Sequence, residues 1–167
     1  MNSIQQTYYN AKPKTKPKTK TKPKTKTKTK TNNHKYLCYT NILLIISILF
    51  FIYKTTQQTE PNQIETVLAT SLIGTIIFSQ LFWNNPIKNS IIHKIDAVIA
   101  KIVIASFILY TLIYKYHFSY LIVLSAIALS FYFSNHYSSQ EWCSNKHLCC
   151  HASLHIFCFI ATFYAFL

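Results

Sequence analysis

Residues 37–53 read LCYTNILLIISILFFIY, and the architecture of the whole chain follows from that stretch. It carries no charged residue, and it comes straight after a segment made almost entirely of lysine, threonine and proline. A helix needs about 20 apolar residues to cross the hydrocarbon core of a bilayer, so the run is close to one membrane span. Four more stretches of the same character follow, at about 64–83, 95–114, 118–133 and 147–167. None shows the strict alternation or the hairpin turn residues that would mark strands. Inside lipid every backbone N–H and C=O must be satisfied within the chain, which leaves helices as the reading. The expected fold is therefore all-α: a polytopic transmembrane bundle of about five helices. The stretch 118–133 is short, and implies local bilayer thinning or snorkelling at its ends.

Charge distribution points the same way. The chain has 167 residues, half of them hydrophobic, with 17 Lys and Arg against four Asp and Glu. Eleven of the lysines fall in the first 35 residues. Beyond residue 35 only Lys54, Lys88, Lys94, Lys101, Lys115 and Lys146 remain, with the acids Glu60, Glu65, Asp96 and Glu141. Soluble domains carry roughly 25% charged residues; this body carries too few to coat a globule in water, which excludes a soluble enzyme. Gly74 is the one glycine, so a glycine-rich phosphate-binding loop is excluded as well.

Two regions result, a basic tail over 1–36 and a helical bundle over 37–167. From Lys12 to Lys30 every even position is lysine, with Thr or Pro between. Such a repeat repels itself and has no apolar face to bury, so the tail is expected to be disordered. Its natural partner is an anionic leaflet, at about 1 kcal/mol for each Lys near the surface. No aromatic residue interleaves the repeat, so base stacking with nucleic acid is unsupported. A long polar segment ahead of the first span does not fit a cleavable signal peptide. The positive-inside rule expects a cytoplasmic N-terminus, and five spans would then put the C-terminus outside.

That alternation gathers polar residues at one depth. Ser79 closes the second stretch, His93 and Asp96 open the third, and His147, His151 and His155 open the fifth. All are expected in the cytoplasmic half of the bilayer, and membrane lipids are the protein's expected partners. Ionisable groups inside membrane helices are costly and mark candidate functional sites. Cys143, His147, His151 and His155 step by four, which is one drifting helical stripe. A His pair at i, i+4 plus one His from another helix can ligate Zn²⁺, leaving a position for water. Zn²⁺ lowers the pKa of that water to about 7. A carboxylate such as Asp96 can position the water, and Ser79 can donate to a developing oxyanion. Solvated interfacial histidines and haem ligation are the other readings of the same residues. Ser71 with Gly74, and Ser125 with Ala128, are expected at helix contacts.

These residues resemble the superfamily of alkaline ceramidases, progestin and adiponectin receptors and haemolysin III-like membrane proteins. The likeness is carried by Ser79, by Asp96 near the start of the next span, and by His151-Ala152-Ser153-Leu154-His155 in the last. Four residues after Ser79 the family pattern has His, and this chain has Trp83; it also has fewer spans. The resemblance implies a Zn²⁺-dependent hydrolase of an amide-linked lipid. His151, His155 and His93 would be its metal ligands, Asp96 would position the water and Ser79 would polarise the amide. The alternative is a non-enzymatic membrane protein, tethered or assembled through its basic tail.

Overall fold

The computed structural model describes residues 34–60 and 62–167. The Lys12–Lys30 repeat, and with it the expectations of disorder and of lipid or nucleic-acid contact, lies outside the described residues. The described residues form five helices: α1 Lys35–Thr56, α2 Gln63–Asn84, α3 Ile91–Tyr114, α4 Tyr120–Gln140 and α5 Asn145–Phe166. Four of them, α1, α2, α3 and α5, are long and apolar enough to cross a membrane. The chain is thus a multi-pass membrane protein by length and composition. The fifth expected span, α4, does not reach that measure, because its helix runs on through the polar sequence Asn135-His136-Tyr137-Ser138-Ser139-Gln140. The apolar residues stop at Phe133, the expected end of this span; the backbone stays helical for another two turns.

The helices run up and down, and each reversal has a local cause. Asn62 caps α2, its side chain accepting the Ile64 and Glu65 N–H groups at 2.9 and 3.3 Å. Ser90 and Ser144 cap α3 and α5 in the same manner. These caps use orphan donors that a helix start leaves unpaired. The cap at Ser90 also starts α3 four residues earlier than the apolar pattern suggests. His93 therefore lies on the helix and Asp96 more than a turn inside it.

Large apolar side chains cover the outside: Leu49, Val67, Ile102 and Ile122 are each 59% or more exposed. A surface of that kind suits hydrocarbon. The interior joins an apolar layer, including Leu44, Leu72, Val103, Phe107 and Phe166, to polar ties between helices. Asn41 donates to the Ile76 carbonyl at 3.1 Å, Gln80 to the Cys38 carbonyl at 2.8 Å, and Ser47 meets Thr162 at 2.9 Å. Such bonds average about 0.6 kcal/mol each in membrane bundles. They, and not the small residues, mark the close contacts. A Cβ added at Gly74 would meet nothing within 4 Å, and Ser125 and Ala128 are exposed.

The two ends of the bundle differ. Where α1 ends and α2 begins, the buried Glu65 carboxylate pairs with Lys54 and Lys115, each at 3.3 Å. It also accepts the Tyr110 hydroxyl at 2.7 Å. Lys54 donates in addition to the Phe166 carbonyl at 2.8 Å. Four helices are fastened there. The opposite end holds the cavity.

Candidate intramembrane polar cavity

At that opposite end, α3 and α5 begin with the same device. Asn89 and Cys143 stand just before the caps with φ of 63° and 59°, the left-handed region that side chains seldom adopt. Ser90 Oγ then accepts the His93 N–H at 3.1 Å, and Ser144 Oγ accepts the His147 N–H at 3.3 Å. Each histidine answers the cap. His93 Nδ1 accepts the Asn89 N–H at 3.0 Å, and His147 Nδ1 accepts the Cys143 N–H at 3.2 Å. This is a capping box in which His replaces the usual Glu or Gln and reaches one residue further back. The positive φ turns that N–H toward the ring.

The tautomer follows from these bonds. A ring nitrogen that accepts a backbone N–H carries no proton, so a neutral imidazole holds its proton on the other nitrogen. His93 and His147 thus present Nε2–H donors. His155 is the reverse case. Thr40 Oγ1 lies 3.0 Å from both the Leu37 carbonyl and His155 Nδ1; with its proton on the carbonyl, the ring donates to it. His155 Nε2 then carries a lone pair. His151 Nδ1 meets Ser134 Oγ at 3.0 Å, and its ring centroid lies 5.0 Å from that of His155.

Helix alternation brings the expected site residues together. Ser79, His93, Asp96, His147, His151 and His155 all line one cavity of about 330 Å³. Cys143 does not join the histidine stripe, because it sits in the loop before α5. The apolar depth of the same cavity is lined by Leu72, Val103, Phe107, Ile127 and Leu154.

Two tryptophans dominate the polar end. Trp83 is 1% exposed, its ring 4.8 Å from His151 and 6.2 Å from Trp142. Trp142 lies between the two capping histidines, 5.1 Å from His93 and 5.0 Å from His147. Both indoles line the cavity, and neither N–H has a hydrogen-bond partner among the described residues. Neither tryptophan is marked as a site residue by composition or period. The signal available in the sequence is the pattern Ser-x-x-His, present at Ser90–His93 and again at Ser144–His147.

The expected Zn²⁺ ligands can be tested on this donor set. Among the described residues no three His, Cys, Asp or Glu side chains form a group that could hold a metal ion. The capping bonds supply the chemical reason. His93 Nδ1 already accepts the Asn89 N–H, and His151 Nδ1 already meets Ser134 Oγ. The set His93, His151 and His155 is thus not gathered as a metal group among the described residues.

Fold and cavity together define a class: a multi-pass membrane helix bundle with a polar cavity at one end. No family model, no curated protein and no solved structure matches the chain.

Proposed function

We propose that the protein takes an amphipathic, lipid-like molecule into its bundle, head at the histidine and tryptophan end and apolar chain toward Phe107. The observation that carries this reading is the gradient along one cavity, from Asp96, Trp83 and His147 to Leu72, Val103 and Phe107. From Asp96 to Phe107 along α3 is about 16 Å at 1.5 Å per residue. The cavity volume sits at the lower end of the range for small-molecule sites, about 300–1,000 Å³. The eleven lysines ahead of residue 36 support a cytoplasmic N-terminus. The cavity, at the end where α1 begins, would then open on that side.

A second reading is hydrolysis of an amide-linked lipid, favoured by Ser79, Asp96 and His155 on the wall of the same cavity. There, Asp96 or the His155 Nε2 lone pair would take a proton from attacking water. Ser79 and the indole N–H groups would donate to the developing oxyanion. Zn²⁺, where bound, would supply an activated water.

One experiment separates these readings. Detergent-purified protein is incubated with an N-acyl lipid, with and without added Zn²⁺, and followed by mass spectrometry for released amine and by tryptophan emission for binding. Saturable binding without turnover supports the binding protein. Turnover supports the hydrolase. Neither result leaves the tethering role of the tail as the function.

A further inference from the structure

We propose that the cavity takes a zwitterionic lipid head, with its ammonium group toward Asp96 and its phosphate toward Lys101. The inference rests on the lipid-binding reading above and names the class of ligand. Asp96 and Lys101 line the same cavity and both stand on α3. Asp96 is 9% exposed. Lys101 is exposed on the helix surface, about 15 Å along the helix from Ile91 at 1.5 Å per residue. That depth is near the middle of a hydrocarbon core about 30 Å thick. Among the described residues the ion pairs all belong to Glu65, and neither the Asp96 nor the Lys101 side chain makes a hydrogen bond. Charges inside a membrane are costly and are normally paired. Here two opposite charges lack a partner, and both border one cavity.

The order of the charges selects the head. From the polar end inward, α3 presents Asp96, then Lys101, then Ile104 and Phe107 to the cavity. In a zwitterionic lysophospholipid the ammonium is outermost, the phosphate follows, and the acyl chain is innermost, so each group meets its complement. A purely anionic head leaves Asp96 unpaired, and a purely cationic head leaves Lys101 unpaired. Lys88 adds a cation at the mouth, its Nζ 5.5 Å from the Trp142 ring centroid. It already donates to the Ser138 carbonyl at 2.8 Å. It lies exposed in the loop between α2 and α3, where water screens its charge. The cavity also has a lateral side. Ala97 and Ala100 of α3, and Phe131 and Ser134 of α4, line it from two helices that do not pack closely on each other. A lipid can enter there from the bilayer, past Lys101.

Trp83 and Trp142 are the only tryptophans in the chain and both line the cavity, so intrinsic emission reads the site. The full-length protein in a maltoside detergent, at mildly alkaline pH, is titrated with dodecylphosphocholine and, separately, with dodecyl sulfobetaine. The two share a chain length and carry no net charge, but their charges run in opposite order: the sulfobetaine has its ammonium next to the chain and its sulfonate outermost. The expected result is a saturable emission change with dodecylphosphocholine, at an affinity about fivefold or more above that of the sulfobetaine, the effect of one well-placed charge contact. Lys101→Gln removes the cation and keeps a polar side chain. It should bring the two affinities within about twofold of each other, with helix content checked by circular dichroism. Dodecyl phosphate and dodecyltrimethylammonium carry one charge each, and each should bind the unaltered protein more weakly than dodecylphosphocholine. Equal or tighter binding of the sulfobetaine by the unaltered protein overturns the proposal whatever the variant does. So does tighter binding of either singly charged amphiphile, or a folded Lys101→Gln protein that keeps the full preference. If no amphiphile binds saturably, the lipid-binding reading itself fails, and this inference falls with it.

Discussion

Replacing Glu65 by Gln should loosen the bundle at the end away from the cavity, and the size of the effect can be worked from the contacts. The side chain of Glu65 is 3% exposed, and Lys54 and Lys115, its partners at 3.3 Å, are 20% and 28% exposed. Coulomb attraction at that distance is about 5 kcal/mol per pair for an effective dielectric of 20. Most of it is offset by the desolvation of a buried carboxylate. Gln keeps the shape and can still accept the Tyr110 hydroxyl. The two lysines can turn to water, so they are not stranded as buried charges would be. What remains is two ammonium–carboxylate pairs exchanged for ammonium–amide or ammonium–water bonds, a loss of about 2 kcal/mol. For a chain of this size that lowers the midpoint of thermal unfolding by about 4–8 °C. Glu65→Leu also strands the Tyr110 hydroxyl, and Tyr110 is 4% exposed. It should cost about 1–3 kcal/mol more. Thermal unfolding in detergent, followed by circular dichroism, measures both. A Gln variant within a degree of the parent, or a Leu variant more stable than the Gln variant, would refute the reasoning.

Three further outcomes follow from the same contacts. His93→Glu should hold stability within about 0.5 kcal/mol while His93→Ala loses about 1 kcal/mol, because Glu is the usual residue of a capping box; thermal unfolding of the pair decides, and equal losses would remove the capping role. Thr40→Val should free His155 Nδ1 from its acceptor and lower stability by about 1 kcal/mol, read as a shift of the His155 ring resonances together with the melting point. Deleting residues 12–30 should leave the helix content of the bundle intact and reduce sedimentation with vesicles containing anionic lipid, while neutral vesicles show no change.

How much was legible depends on whether a feature is carried by period and hydropathy or by a bond between distant groups. The helices at α1, α2 and α3 were legible, because lipid demands an uncharged run of a given length. The far end of α4 was not: Asn135 to Gln140 have no apolar period, and ties such as Lys88 to the Ser138 carbonyl and Gln140 to His136 come from groups that no period announces. The gathering of Ser79, Asp96, His151 and His155 followed from counting reversals, since alternation alone fixes which helix ends share a depth. The Glu65 ion pairs were missed. Lys54, Glu65 and Lys115 are each near the end of an apolar stretch, where a charge is expected to be solvated, and nothing local reveals that Tyr110 closes over them.

The histidines show where sequence reasoning and structure part. A membrane-buried His four residues from another invites a metal, because imidazole is the commonest ligand and an unpaired polar group in lipid is expensive. The same cost can be met more cheaply by the backbone. His93 and His147 each stand three residues after a helix-capping serine, where unpaired N–H groups are already waiting, and each accepts one of them. That bond fixes the tautomer and converts a candidate ligand into a donor. His155 lies further along its helix, beyond the reach of any cap, and finds Thr40 on another helix; it alone has its Nε2 lone pair assigned by a neighbour's bonds. Position within the helix, first turn against third, therefore decides which histidine can accept a proton from a ligand and which can only give a hydrogen bond. A sequence that shows Ser-x-x-His ahead of an apolar run has the capping explanation to exhaust before a metal is invoked.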